Sequence, residues 1–183
     1  DPRYAGILDK MRDLLKKKMI SEGDLGLIPE GLWVQKAADL DGYKAEMKDC
    51  FPKYFDAADL QCHSYSSQRR KLKKALCDTD PIVRWWAMSV CCTMGEEASP
   101  LVRKITSLLN DENCMVKALA ATYLALFKDF NPTETYKACL KESESLAHTV
   151  MILNNAATVH DLCPEIKLSL PSEHLLHDIG WTQ

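Results

Sequence analysis

Residues 78–84 read Asp-Thr-Asp-Pro-Ile-Val-Arg, and residues 111–117 read Asp-Glu-Asn-Cys-Met-Val-Lys, an offset of 33 positions. The apolar pattern after each stretch recurs at the same offset, with the i, i+3, i+4, i+7 spacing of one buried helix face. The seven matched pairs are Ile82/Met115, Val83/Val116, Trp86/Leu119, Ala87/Ala120, Val90/Tyr123, Cys91/Leu124 and Met94/Phe127. A unit of helix, acidic turn and helix at this period predicts stacked helix pairs, which bury their apolar faces against each other.

The repeat places helix pairs at 68–77/81–94 and 99–110/114–127, with a weaker third pair at an offset of 31 around residues 136–153. Asp80 is positioned to cap the second helix of the first pair, and Pro81 suits the first position of that helix. The sequence therefore predicts an all-α fold. Its expected architecture is a HEAT/armadillo-like α-α superhelix of about three helix pairs, with an N-terminal helix and an irregular C-terminal tail.

Residues 3–20 carry the pattern of an amphipathic helix with lysines in its last turn. Its apolar stripe consists of Tyr4, Ile7, Leu8, Met11, Leu14, Leu15 and Met19. One helix cannot bury such a stripe alone, so we expect it to pack on the later helices or on a preceding domain. Residues 21–42, which contain several glycines, are predicted to form an extended connector. Helices are then expected at about 43–50 and 52–61.

The bulk composition argues against two classes of protein. A net charge of −3 argues against a dedicated nucleic-acid binder, which carries a basic excess. No run of about 18 apolar residues is present, so no membrane span is expected. The eight cysteines show no CxxC and no Cys-His zinc spacing, and most are predicted to be reduced and buried, with Cys77, Cys91 and Cys139 on apolar helix faces. One or two disulfides in an exported protein are the alternative.

Three stretches, in this order, resemble the C-terminal region of bacterial sulfatases of the arylsulfatase and N-sulfoglucosamine sulfohydrolase-like group. Residues 1–30, which begin Asp-Pro-Arg-Tyr and end Asp-Leu-Gly-Leu-Ile-Pro-Glu, look like the last helix and exit segment of the catalytic domain. Residues 51–60, Phe-Pro-Lys-Tyr-Phe-Asp-Ala-Ala-Asp-Leu, are similar to the helix that opens a HEAT-like tail in some of these enzymes. Residues 78–87 look like the first repeat turn of that tail.

The resemblance implies three parts. Residues 1–42 correspond to the terminal helix and connector of a sulfatase catalytic domain, residues 43–158 to HEAT-like repeats, and residues 159–183 to a C-terminal tail. The parent enzyme would hydrolyse sulfate esters or sulfamates, of sulfated glycans above all. The resemblance also implies a periplasmic or secreted parent, whereas the residues themselves leave the localisation unknown.

Sulfatases use a formylglycine made within a Cys/Ser-x-Pro-x-Arg motif and a calcium ion held by Asp and Asn side chains. This sequence lacks the motif, because its nearest matches, at 99–103 and 163–164, have the wrong spacing. The resemblance therefore implies that formylglycine and calcium belong to a catalytic part outside this chain. We predict no catalytic, cofactor-binding or metal-binding residue here, and we expect the chain itself not to be an enzyme.

Two functions fit these observations. The first is a non-catalytic C-terminal region of a sulfatase, which buttresses the catalytic domain in cis and helps to shape substrate access or oligomer contacts, including contacts in a homo-oligomer. The second is a free-standing HEAT-like scaffold whose helix pairs offer a concave surface to a protein partner. Residues 3–20 distinguish the two, because a docked helix favours a self-sufficient module.

One candidate surface combines a basic segment with the start of the repeat helix. Its residues are Arg69, Arg70, Lys73, Lys74, Arg84 and Trp85. The cations suit the oxygens of a sulfated glycan, and Trp85 offers a stacking face for a sugar or a partner. The alternatives are a solvated helix face for the cations and a packed indole for Trp85.

Histidines near the C-terminus raise the question of a metal. They lie in His160-Asp161 and in residues 174–178, which read His-Leu-Leu-His-Asp. Two histidines three positions apart share a helix face, but no third ligand has suitable spacing. Surface histidines are therefore the preferred interpretation.

Overall fold

The structure is a computed structural model that describes residues 1–170, and these residues form helices and turns with no strand. The α-helices are α1 (Ala5–Glu22), α2 (Glu30–Trp33), α3 (Leu40–Met47), α4 (Phe51–Asp59), α5 (Tyr65–Ala75), α6 (Pro81–Met94), α7 (Val102–Ser107), α8 (Cys114–Lys128), α9 (Thr133–Lys141) and α10 (Leu146–Leu162). Shorter 3₁₀ segments include Leu25–Leu27, Val34–Asp39, Gly95–Leu101 and Leu108–Asn110. The all-α prediction is confirmed for this part of the chain.

The two acidic turns have the same hydrogen bonds. Asp80 caps α6 by accepting a hydrogen bond from the backbone N–H two residues on, at 2.9 Å, and Asn113 caps α8 in the same way at 3.0 Å. The first aspartate of each turn, Asp78 or Asp111, accepts from the N–H of the capping residue at 3.0 or 2.9 Å. Short Asp and Asn side chains at these positions satisfy backbone donors that a helix start leaves unpaired. The two turns that match in sequence therefore form the same pattern of hydrogen bonds.

The matched apolar positions have the same environment in both units. Five of the seven pairs, for example Val83 and Val116, are buried in both helices, and Met94 and Phe127 are half-buried in both. Helix α4 packs against α6, α6 against α8, and α8 against α10. Helix α5 packs on α6, α7 on α8, and α9 on both α8 and α10. The second helix of each pair thus forms a continuous inner row, and α8 contributes to two apolar clusters.

The segment 21–42 is folded, so the expectation of an extended connector is wrong. It contains the 3₁₀ turn Leu25–Leu27, the short helix α2 and the 3₁₀ segment Val34–Asp39 before α3 begins. The indole of Trp86 donates a hydrogen bond to the carbonyl of Leu27 at 2.9 Å, and α2 packs against α10. The connector therefore crosses the inner row of helices. Its backbone groups are satisfied by local turns and by this contact.

The C-terminal part begins later than the predicted boundary at residue 158, because α10 continues to Leu162. Beyond it, Ile166 is buried in the cluster between α8 and α10, and Leu168 and Leu170 pack against that cluster. The histidines His174 and His177, and the rest of the predicted tail after residue 170, lie outside the described residues.

Candidate interaction surfaces

Helix α1 exposes an apolar face over its N-terminal two-thirds. Six side chains of the predicted stripe are between 48% and 66% exposed: Tyr4, Ile7, Leu8, Met11, Leu14 and Leu15. The C-terminal end of the helix is docked. Met19 and Ile20 pack against the main apolar cluster, and Lys16 makes an ion pair with Asp56 of α4 at 2.5 Å. The helix is thus held at one end and leaves a contiguous apolar surface at the other, which is typical of an interaction site.

A basic cleft lies between α5 and the start of α7. It has a volume of about 520 Å³ and is lined by Tyr65, Arg69, Arg70, Lys73, Pro100, Leu101, Arg103 and Lys104. Three predicted surface residues therefore meet here, together with two cations from the next helix pair. Sequence reasoning missed Arg103 and Lys104, although the 33-residue offset maps Arg70 and Lys71 onto them.

The predicted basic segment does not form one surface. Lys74 lies with Lys71 in a second cleft of about 190 Å³, which also contains the acidic residues Asp56 and Asp78. The 3.6-residue helical period explains this split, because positions 70 and 73 share a face that positions 71 and 74 do not. With Lys53 also present, this cleft has three lysines and two aspartates, so Lys74 belongs to a surface of mixed charge that is separate from the basic cleft.

Arg84 is not available to a partner, which corrects its assignment to the candidate surface. Its side chain is 9% exposed and makes a two-pronged ion pair with Asp111, at 2.7 and 2.8 Å. Nη1 also donates to the backbone carbonyls of Asp78 and Thr79. Pairing with Asp111 raises the pKa of Arg84. Arg84 therefore ties one acidic turn to the next.

Similar cation–acid links occur at the two neighbouring steps. Lys53 of α4 pairs with Asp80 in the first turn at 2.5 Å, and Lys117 of α8 pairs with Glu142 after α9 at 2.5 Å. Lys117 is the repeat equivalent of Arg84. A hydrogen bond from Lys53 contributes to a lowered pKa of Asp80, against the opposing effect of its burial. These links connect successive helix pairs through their turns.

Trp85 is half-buried and packs against both apolar clusters. Its ring meets the ring of Trp86 edge to face, with centroids 4.9 Å apart. Edge-to-face contact is a favoured geometry for aromatic pairs. This arrangement is the packed-indole alternative, and Trp85 is not among the described residues that line the basic cleft.

The inner row carries a close contact between α2 and α10. The N–H of Gly31 points at the sulfur of Met151 at 3.4 Å, and His148 is buried beside the same glycine. A Cβ at position 31 would lie 2.2 Å from Cδ2 of His148. The Nε2 atom of His148 has no hydrogen-bond partner in the described part of the chain, and burial lowers the pKa of this imidazole. This face of the inner row is therefore filled by the connector of the same chain.

The cysteines are free thiols, and those in the core are poor nucleophiles. Cys91, Cys114, Cys139 and Cys163 are buried, whereas Cys77 is exposed, which corrects its assignment to an apolar face. Burial raises the pKa of Cys91 and Cys139 to about 12. Since the thiolate is the reactive form, these side chains act as small apolar groups.

No protein family, no curated protein and no solved structure matches this chain. Within residues 1–170, no group of three or more His, Cys, Asp or Glu side chains is arranged to hold a metal ion. Among the described helices, none has the length and apolar character needed to cross a membrane.

Proposed function

We propose that this chain is the non-catalytic, HEAT-like C-terminal region of a sulfatase, and that α1 is its attachment to the catalytic domain. In this proposal the parent enzyme hydrolyses sulfate esters or sulfamates, and formylglycine and calcium reside in the catalytic part. The repeat region buttresses that part and helps to shape substrate access. The exposed apolar face of α1 carries the proposal, together with the resemblance of residues 1–30 to the last helix of a sulfatase domain.

The energetics of α1 support a missing partner. Fully burying one side chain of this size is worth about 1.5–3 kcal/mol. Six such side chains on one face, each about half exposed or more, therefore represent a large unused contribution. The exit segment 25–33 is already packed on the inner row of helices, so the repeats hold the chain where it leaves α1. A domain docked on α1 would be fixed relative to the repeats.

The same packing disfavours the free-standing scaffold. That function needs an open concave face along the second helices of the pairs. In this chain, segment 21–42 already covers part of that row, through the contacts of Leu27 with Trp86 and of Gly31 with Met151. A protein partner would have to displace the chain's own segment first.

The test uses the complete reading frame that encodes this chain. We expect it to contain an upstream Cys/Ser-x-Pro-x-Arg motif and its product to hydrolyse a chromogenic sulfate ester. The double variant Leu8→Glu/Met11→Glu should lower the melting temperature of that product, because it places two charges in the interface. Lys141→Glu, on the exposed end of α9, is the control and should not. A reading frame without the motif, or an equal effect of the control, contradicts the proposal.

A further inference from the structure

The α5–α7 cleft, lined by the residues given above, concentrates unpaired positive charge. Its five cations are Arg69, Arg70, Lys73, Arg103 and Lys104. None of them makes a hydrogen bond or an ion pair with any residue in the range 1–170, and no carboxylate lines the cleft. Arg84, Lys117 and Lys128, by contrast, are each paired with an acidic side chain. This arrangement occurs in a chain whose net charge is −3.

Clustering of like charges without a counter-charge costs free energy, which a bound anion recovers. The cations come from two helices of successive pairs, so they extend along the cleft and do not converge on one point. This distribution suits a polymeric ligand that carries several anionic groups. Three of the five are arginines, whose planar guanidinium groups bind the oxygens of sulfate or phosphate in a two-pronged way.

The remaining lining residues help to choose between polyanions. Among residues 1–170, Tyr65 is the one aromatic side chain that lines the cleft, and Pro100 and Leu101 supply apolar surface. Proteins that bind single-stranded nucleic acids stack successive bases on several aromatic rings, and they carry an overall basic charge. The cleft has no such row of rings. One tyrosine beside a line of cations fits a sugar ring flanked by charged substituents.

We propose that the α5–α7 cleft is a non-catalytic binding site for a sulfated polysaccharide. The arginines bind sulfate groups, the lysines add charge, and Tyr65 contacts a sugar face. This site concerns binding by the chain alone and does not depend on α1 or on a catalytic domain. Its failure and the failure of the proposed function are therefore separate results.

The experiment measures binding of fluorescein-labelled heparin oligosaccharide to the complete 183-residue chain by fluorescence anisotropy at fixed salt. We expect saturable binding that Arg69→Glu/Arg103→Glu weakens by about tenfold or more, because each charge-assisted hydrogen bond lost is worth about that factor. Arg70→Glu/Lys73→Glu should have the same effect. The matched control, Lys36→Glu/Lys141→Glu, changes the net charge equally at exposed positions outside the cleft and should change affinity by less than about twofold.

Two further ligands complete the test. Hyaluronan of equal length carries carboxylates but no sulfate, and we expect it not to compete. Single-stranded DNA should compete poorly, because the cleft lacks a row of aromatic rings on which bases could stack. Absence of heparin binding, equal weakening by the control variant, or equal competition by hyaluronan or DNA overturns the proposal. Circular dichroism of each variant verifies that the helices are intact.

Discussion

Arg84 is the residue that binds one acidic turn to the next, because its guanidinium contacts Asp111 and two carbonyls of its own turn. Arg84→Met removes the charge and keeps most of the volume. It leaves the carboxylate of Asp111, which is 5% exposed, without its partner. We expect the free energy of unfolding in urea to fall by about 3–5 kcal/mol.

The control is Lys137→Met, since Lys137 makes an exposed ion pair with Glu134. It should change stability by less than about 0.5 kcal/mol. Adding Asp111→Asn to Arg84→Met should recover part of the loss, because the uncompensated charge is gone. Equal effects of Arg84→Met and the control would show that the ion pair between Arg84 and Asp111 contributes nothing to stability.

His148 makes the free energy of unfolding depend on pH. Burial holds its pKa below the ordinary value of 6.5, although Glu144 acts in the opposite direction. Because the folded pKa is the lower one, the unfolded state takes up the proton first. The free energy of unfolding therefore falls as the pH drops below about 6.5. The contribution of Asp80, whose pKa is lowered, is lost only at more acidic pH, below 3.8.

His148→Gln should flatten the dependence of stability on pH between about 7 and 5, where an ordinary histidine titrates. Urea unfolding curves at several pH values measure this. His160→Gln is the control, because that imidazole is exposed. If the wild type and His148→Gln lose stability in parallel over this range, the buried imidazole is not the cause.

At the scale of elements, the contact of α2 with α10 distinguishes a folded connector from a loose one. Gly31→Ala places a methyl group 2.2 Å from Cδ2 of the buried His148, so the two helices must separate or the imidazole must move. Overpacking of this kind costs about 1–3 kcal/mol. Thermal and urea unfolding measure the loss.

The same substitution at Gly6 is the matched control. A Cβ there meets no atom of the described residues within 4 Å, and the position lies within α1. Gly6→Ala should therefore raise stability slightly or leave it unchanged, because alanine favours the helix by about 1 kcal/mol over glycine. A neutral Gly31→Ala would mean that α2 does not pack on α10.

The matched helices α6 and α8 should respond alike to truncation. Trp86→Ala and Leu119→Ala occupy equivalent positions, and each is expected to lower the free energy of unfolding by about 2–5 kcal/mol. Val150→Ala, at a side chain that is 42% exposed, should cost less than about 1 kcal/mol. Losses below that value at both Trp86 and Leu119 would refute the alignment of the two units.

The repeat helices could be predicted from the sequence, and the connector could not. Apolar spacing and the capping residues Asp80 and Asn113 are local signals, and both act within one turn of the chain. Segment 21–42 has no helical periodicity. Its short turns are stabilised by distant partners, such as Trp86 for Leu27 and Met151 for Gly31. Contacts over more than 50 positions leave no local pattern.

The candidate surface could be predicted only in part from the sequence. Charge density identified Arg69, Arg70 and Lys73, which line the basic cleft. Charge density did not separate Lys74 and Arg84 from these cleft residues. Lys74 lies on another face of the helix and lines a second cleft, and the partner of Arg84, Asp111, lies 27 positions away. Applying the repeat offset to the basic segment as well as to the apolar one would have found Arg103.

In the molecule as a whole, the apolar face of α1 has no partner among residues 1–170. The apolar face of α1 is exposed, while the end of the helix is fixed to α4 through Lys16 and Asp56. In the isolated chain, another copy is the nearest available partner for this face. We therefore predict self-association of the isolated chain, and deletion of the helix is a poor test because Met19 and Ile20 pack against the main apolar cluster.

Light scattering coupled to size-exclusion chromatography tests this most directly, on the wild-type chain and on Leu8→Glu/Met11→Glu/Leu15→Glu. We expect the wild type to elute as a dimer or a larger species. The triple variant, whose substitutions lie on the exposed face, should be a monomer with an unchanged circular dichroism spectrum. A monomeric wild type at concentrations of about 100 μM, where even weak micromolar contacts form, would contradict the claim that α1 presents a docking surface. A triple variant that still associates would contradict it equally.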